Sequence, residues 1–272
     1  MKKKEMKICI LRVAGTNCDA ETKQAFKELG VNAEVIHFNE LLKKKSLLDY
    51  HMLVLPGGFS FGDYVRAGAI WAKRIQTKLK KPIKKFIEEE KPILGICNGF
   101  QILVEAGLLP GFNGISDYPE ASLAPNIPLG YNCRWIRIKN ENSGNCIFTK
   151  KIPKGKVLHI PVAHSEGRFI FPKEKEKKFL ELLQENDQLV FRYALENGQP
   201  ANGKYPENPN GAFYDIAGIC NPEGTILGLM PHPERAFYGW QLPNWTSKEK
   251  IPLYGDGKLI FESVIEYLTK IV

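Results

Sequence analysis

No two of the six cysteines (Cys9, Cys18, Cys97, Cys133, Cys146 and Cys220) form a C-x-x-C pair. A secreted disulfide framework and a structural zinc site are therefore not expected. No stretch approaches the roughly 18 apolar residues that a membrane span needs. No G-x-x-x-x-G-K-S/T phosphate loop is present, so ATP binding by that device is not expected. Internal repeats and low-complexity tracts are missing as well, which argues against a solenoid or a disordered tail. Acidic residues are in deficit: 30 Asp+Glu against 38 Lys+Arg leave a formal charge of +8.

What is present is ordinary for a folded protein. The 272 residues are 43% hydrophobic and 25% charged, enough for one large α/β domain or at most two small ones. The opening MKKKEMKICILRVAG looks superficially like a signal peptide. Its apolar stretch is short, follows Glu5 and is interrupted by Arg12, so it reads better as a first strand, and a cytoplasmic protein is expected. The positive excess invites a nucleic-acid reading. It lies in Lys2, Lys3 and Lys4, in Lys43, Lys44 and Lys45, and in Lys78, Lys80, Lys81, Lys84 and Lys85. Basic runs without interleaved aromatics are usually solvated helix faces or termini. A basic nucleic-acid module stands as the non-enzymatic rival, separable by a salt-dependent binding assay.

Along the first half, strand-like and helix-like segments alternate. Residues 7–13, 33–38, 51–55 and 92–96 read as strands. Residues 18–29 read as a helix stopped at Gly30, a lysine-rich helical stretch covers about 66–90, and another helix runs from Asn98 to about Ala106. Such alternation predicts a mostly parallel sheet with right-handed crossovers. Residues 108–130 read as a long surface loop. Strand-like runs at 133–139, 156–164, 188–194, 213–220 and 225–230 predict an antiparallel extension and a return to the main sheet. Residues 196–211 read as a polar loop, and a last helix is expected at about 256–270.

Three strand ends carry the chemistry. Gly95-Ile96-Cys97-Asn98-Gly99 follows one strand and opens a helix. This is a G-x-nucleophile-x-G turn with cysteine at its centre, and a helix N-terminus favours a thiolate. A small buried cysteine in an ordinary turn would leave the same string; the strand–turn–helix context favours the nucleophile. Pro231-His232-Pro233-Glu234 follows another strand. Prolines hold such a segment extended, and residues two apart then share a side, so Glu234 can orient His232 as base. A metal pair is the alternative, weakened by the lack of a third ligand at recognisable spacing. Pro56-Gly57-Gly58 follows a third strand, where glycines let a backbone N–H reach an oxyanion; the other donor would be Asn98 N–H. A plain tight turn is the bland reading of that string.

Together these strings resemble the class I, triad-type glutamine amidotransferases. Within that class GTNCDAET, LPGGFSFGDYVRAGAIW, GICNGFQIL, PVAHSEGRF, YPENPNG and IAGICNPEGTILGLMPHPERA are most similar to the glutaminase subunit of phosphoribosylformylglycinamidine synthase, in order from about residue 7 to 238. Two departures, Ser165 in AHSEG and Ala212 after NPNG, lie outside the triad. The resemblance implies a single domain over residues 1–272 with a flavodoxin-like sheet and helices on both faces. It implies Cys97, His232 and Glu234 as triad, Gly58 and Asn98 as oxyanion donors, and Gly57 and Gln101 at the glutamine pocket, with no metal. Glutamine would be hydrolysed through a Cys97 thioester. The ammonia would pass to a large synthetase subunit, joined by a small bridging subunit, for ATP-dependent conversion of formylglycinamide ribonucleotide to formylglycinamidine ribonucleotide in purine synthesis. ATP and magnesium would belong to that partner and no cofactor to this chain. His164, Glu166, Arg168 and the 205–211 loop either gate the pocket, meet the partner, or form a buried polar cluster. Phe59, Phe61, Tyr64 and Arg66 pose the same choice between interface and core. Residues 240–256 run past the usual ending without an assigned role. The enzymatic rivals are a glutaminase of another amidotransferase, or a cysteine hydrolase on the same scaffold. Such hydrolases usually take a histidine directly after the cysteine, where this chain has Asn98.

Overall fold

A computed structural model of the chain describes residues 2–247 and 249–271. The opening segment is strand β1 (Lys7–Arg12), whose four central residues are buried. It leads through α1 (Asp19–Glu28), β2 (Asn32–His37), α2 (Phe38–Lys43) and β3 (Met52–Leu55) into α3 (Ala69–Lys78), α4 (Lys80–Glu88), β4 (Ile93–Ile96) and α5 (Asn98–Glu105). The second half holds β5 (Ser122–Ala124), β6 (Asn132–Asn140), β7 (Val157–His164), β8 (Arg168–Ile170), α6 (Glu176–Glu185), β9 (Leu189–Ala194), β10 (Ile216–Cys220), β11 (Ile226–Leu229) and α7 (Lys258–Ile271). Among the described residues, no helix is long and apolar enough to cross a membrane.

Nine strands form one sheet in the order β2-β1-β3-β4-β11-β10-β9-β6-β7. From β2 to β11 all neighbours are parallel. This half has the doubly wound 2-1-3-4-5 order of flavodoxin-like folds, with its topological switch between β1 and β3. From β11 to β7 every pairing is antiparallel. The central strands β3, β4 and β11 are continuous buried apolar runs, as expected where helices cover both faces, whereas the edge strand β2 is only partly buried. α1 packs on α7, with Phe26 and Phe261 edge to face at 5.1 Å. α3 packs against α4 and α5.

The lysine-rich stretch expected as one helix is two, parted at Leu79. Pro82 explains the break: its ring would collide with the carbonyl four residues back, yet it is tolerated in the first turn of a new helix. Residues 108–130 are not wholly a surface loop, since Leu108, Leu109, Ala121, Leu123 and Asn126 are buried and β5 pairs with β8. The 213–220 run begins with a single 3₁₀ turn before β10. Residues 240–256 form an out-and-back excursion. Tyr238 and Tyr254 face each other at its base, Gly239 N–H donates to Leu253 O, and Gly255 N–H donates to Phe237 O. Asp256 then accepts the backbone N–H of His159 on β7 at 2.8 Å, which ties the excursion to the sheet edge.

Candidate active site

Cys97 sits between β4 and α5 with φ 51° and ψ −105°. A side chain other than glycine rarely adopts that backbone, and it aims the side chain off the end of the strand. The elbow is held by packing. A Cβ on Gly99 would lie 1.9 Å from Leu55 O, and one on Gly95 would lie 2.5 Å from the Leu103 side chain, so neither position admits a larger residue. Cys97 N–H donates to Leu229 O at 2.8 Å, which locks the elbow to β11. Inside α5 the first bonds back to Cys97 O come from Phe100 and Gln101. The helix therefore leaves the N–H groups of Asn98 and Gly99 unused, as helix starts do.

Across from the elbow, the Thr16–Gly58 bridge joins the loops after β1 and β3 at the switch point. Its hydrogen bonds run from Phe59 N–H to Gly15 O and from Asn17 N–H to Gly57 O. The Gly58 N–H lies between them, outside the ladder. Asn98 also holds this loop, its Oδ1 accepting Ser60 N–H at 3.3 Å. The expected donors, Gly58 and Asn98, thus come together from different elements, each with an N–H that regular structure does not use. Beyond them the loop is strained, with positive φ at Phe61, Asp63 and Val65.

His232 and Glu234 follow β11, and His232 Nδ1 bonds Glu234 Oε1 at 2.6 Å. The local conformation differs from expectation. Residues Pro233–Ala236 form a 3₁₀ turn capped by His232, not an extended segment. Proline at the first position of a turn lacks only an N–H that would be unpaired anyway, so it starts the turn readily. The carboxylate folds back to the ring through the turn. His232 N–H donates to Pro161 O on β7 at 2.8 Å, although β7 is the far edge strand. The antiparallel half therefore curls back over the carboxyl ends of the parallel strands.

The site is nearly closed: Cys97 is 5% exposed, and His232 and Glu234 are each 2% exposed. Among the described residues, His232 Nε2 makes no hydrogen bond, and the Cys97 thiol donates to Ala163 O at 3.6 Å. Burial disfavours the charged imidazole. The charges of Glu234 and Cys97, with smaller contributions from the sulfurs of Cys18 and Cys97, outweigh it and hold the His232 pKa well above its ordinary value.

Other expected residues fall into place around this centre. A Cβ on Gly57 would lie 2.8 Å from His232 Cε1, so the glycine makes room for the ring. Gln101 lies one turn after Cys97, but its amide is engaged by protein. Its oxygen accepts Asn98 Nδ2 at 2.9 Å and its nitrogen donates to Glu166 O at 2.5 Å. His164 lies in a buried polar cluster. Asn126 Oδ1 bonds His164 Nδ1 and accepts Gly167 N–H, while Asn126 Nδ2 donates to His164 O. Asn210, from the polar loop, donates to Gly167 O. Glu166 accepts Ala67 N–H at 3.0 Å, whereas Arg168 donates to Pro125 O. Arg66 pairs with Glu105 on α5, and Phe61 packs at the core edge under Arg74. Phe59 and Tyr64 are exposed.

Sequence reading missed Cys18. Its sulfur lies 3.9 Å from His232 Nδ1, across 214 residues of chain. The one sequence signal was its place in the GTNCDAET string. Donor atoms of Cys18, His232 and Glu234 lie within 4.8 Å of one another, the third ligand that spacing did not reveal. Arg235 Nη2 is 3.2 Å from that sulfur, a fixed positive charge that disfavours a cation there. Gln241, in the 240–256 excursion, donates to Glu234 O at 3.2 Å and so braces the acidic turn.

Comparison with known proteins identifies the family. The family described as CobB/CobQ-like glutamine amidotransferase domain matches residues 5–268. The phosphoribosylformylglycinamidine synthase subunit PurQ of Archaeoglobus fulgidus is 49% identical over 281 aligned positions, covering 100% of both chains. The subunit of the same description from Methanococcus maripaludis C7 is 42% identical, covering 97% of this chain and 98% of that one. A chain of the solved PurLQS structure from Thermotoga maritima superposes with TM-score 0.70 at 32% identity, covering 97% of this chain and 99% of that one.

Proposed function

This chain belongs to the CobB/CobQ-like glutamine amidotransferase family, in its phosphoribosylformylglycinamidine synthase branch, and on that premise we propose how its residues act. The protein is the glutaminase subunit of that synthase. The observation that carries the mechanism is Cys97 on its strained elbow beside the buried His232–Glu234 pair.

Cys97 gives its proton to His232 as its sulfur attacks the side-chain carbonyl carbon of glutamine, and the C=O π bond opens so that the oxygen takes negative charge. The unused N–H groups of Gly58 and Asn98 receive that charge. His232, its pKa raised, gives a proton to the leaving nitrogen as the tetrahedral species collapses to a thioester and ammonia. It then takes a proton from the water that hydrolyses the thioester to glutamate. Glu234 fixes the ring through Nδ1 and stabilises its charged form. Gly57 and Gln101 form the edge of the glutamine pocket, Gln101 by holding the Ser165-Glu166-Gly167 turn through Glu166 O.

Ammonia loses its nucleophilicity when protonated, so it is handed directly to the large synthetase subunit, with a small subunit bridging the assembly. That partner uses ATP and magnesium; this chain holds neither a cofactor nor a metal in the proposal. Six cysteines without a disulfide among the described residues suit a reducing compartment, so the site of action is cytoplasmic in the proposal.

The test is Cys97→Ala in the assembled complex. Glutamine-dependent synthesis is expected to fall to background while ammonia-dependent synthesis is retained. Normal glutamine hydrolysis by this variant would overturn the assignment.

A further inference from the structure

We propose that Cys18 is a positioning residue for His232, holding the imidazole by its Nδ1 edge while Cys97 works at the other nitrogen, with Arg235 anchoring the Cys18 sulfur. The inference rests on the assignment of Cys97 and His232 as nucleophile and base.

Cys18 is pinned through its backbone on two sides. Its N–H donates to Gly57 O at 3.2 Å, in the oxyanion loop. Its carbonyl accepts Thr22 Oγ1 at 2.7 Å and Thr22 N–H, at the start of α1. The side chain is 1% exposed and equally constrained. The thiol donates to Asn17 Oδ1 at 3.1 Å, and its sulfur accepts Arg235 Nη2 at 3.2 Å. Arg235 is held in turn by Glu21 on α1, Nε to Oε2 at 2.8 Å. The sulfur lies 3.9 Å from His232 Nδ1, while a Cβ on Gly57 would reach within 3.1 Å of it. Loop, sulfur and ring are therefore stacked with no room to spare.

Two cysteines thus flank one histidine in different chemical states. Burial pushes the Cys18 thiol up, and the hydrogen bond with His232 only partly offsets this. Cys18 stays a neutral thiol whose proton is directed to Asn17. Its sulfur lone pairs then face the Nδ1–H that Glu234 also accepts. Among the described residues, the titratable or charged groups bearing on His232 are Glu234 and Arg235 on its own segment, Cys18 before α1, Cys97 at the head of α5, and Tyr131 before β6. His164 at the end of β7 is neutral. Within this set, Cys18 is the contact that links the ring position to the oxyanion loop. That sulfur contact favours the charged imidazolium.

The experiment uses the full chain in the assembled complex as wild type, Cys18→Ala and Cys18→Ser. Glutamine turnover is followed from about pH 6 to pH 10. In Cys18→Ala the alkaline limb of kcat, where His232 loses its proton, should move down by about one unit, a loss of about tenfold at the alkaline end. KM for glutamine should change little. Cys18→Ser, shorter and less polarisable, should lie between, and it carries the test if the alanine variant does not fold. A Cys18→Ala profile superimposed on wild type, or Cys18→Ser likewise where only that variant folds, would overturn the positioning role while leaving the triad intact. Glutamine turnover retained by Cys97→Ala would instead overturn the parent assignment.

Discussion

His164 and His232 lie within electrostatic reach of each other and are driven in opposite directions. Burial, then the charge of His232, pushes His164 down to about 3, so it is neutral in the folded protein. In the unfolded chain it titrates near the ordinary histidine value of about 6.5. Between these values the unfolded state binds a proton that the folded state does not. Stability is therefore lost as pH falls through this window, by about 1.4 kcal/mol per pH unit for one proton. His232 has the opposite sign: its raised value contributes stability below the ordinary histidine pKa and loses it as pH rises through the folded value. His164→Gln is expected to remove close to one proton from the slope of unfolding free energy between about pH 6 and pH 4. Urea unfolding across that range measures it, and an unchanged slope would mean His164 is not held neutral. The sequence left His164 open between gate, interface and polar cluster. Its bonds to Asn126, and the Asn210 bond to Gly167 O, place it in the cluster that shapes the turn facing Cys97.

At the level of elements, the loops at the strand ends depend on glycines for different reasons. Gly57 has room for its own backbone but not for a methyl beside the histidine ring. Gly57→Ala is expected to displace His232 and lower glutamine-dependent kcat by about 100-fold, since a misplaced reacting group costs that much. Its unfolding free energy should change by only about 1 kcal/mol, read by urea melts on the same preparation. Gly99 lies inside the sheet–helix contact, where a methyl would strike Leu55 O. Gly99→Ala should therefore destabilise the whole fold by about 3 kcal/mol or more. A normal melt for that variant would show that α5 can shift away from β3. Strands of the parallel half were legible because most are short apolar runs bounded by turn residues, and β2 alternates. The α3–α4 break was misread although Pro82 stood in plain view, because the surrounding lysine and isoleucine periodicity runs across it. α6 buries only Phe179 and Leu183 against the core, too weak a stripe to stand out.

For the whole molecule, part of the charge on the lysine-rich helix is locally paired. Lys80 pairs with Asp117, Lys84 with Glu88, and Lys85 with Glu89 on the lysine-rich helix. Such exposed pairs stabilise little, but they blunt the field a nucleic acid would follow. The closed site bears on activity more directly. Cys97 is buried and its thiol is turned to Ala163 O, while His232 Nε2 stands unpartnered. On the proposed mechanism, a site this closed must open for glutamine to enter. The isolated chain is expected to hydrolyse glutamine about tenfold or more slowly than the assembled complex. Ammonia release by the chain with and without its partner measures this, and equal rates would count against it.

Sequence alone pointed to a candidate group at each of three strand ends. A cysteine in a glycine elbow, a histidine two residues before a glutamate, and a Gly-Gly turn are local devices, each defined by a few adjacent residues. It also indicated a mostly parallel sheet with right-handed crossovers, while the flavodoxin-like order came from the resemblance. Tertiary structure alone decided how these devices meet. The 3₁₀ turn after His232, the curl that brings Pro161 and Ala163 over the site, and the arrival of Cys18 beside the imidazole depend on contacts between distant parts of the chain. Local periodicity carries no record of those contacts, because they are set by which surfaces bury each other once the sheet has formed.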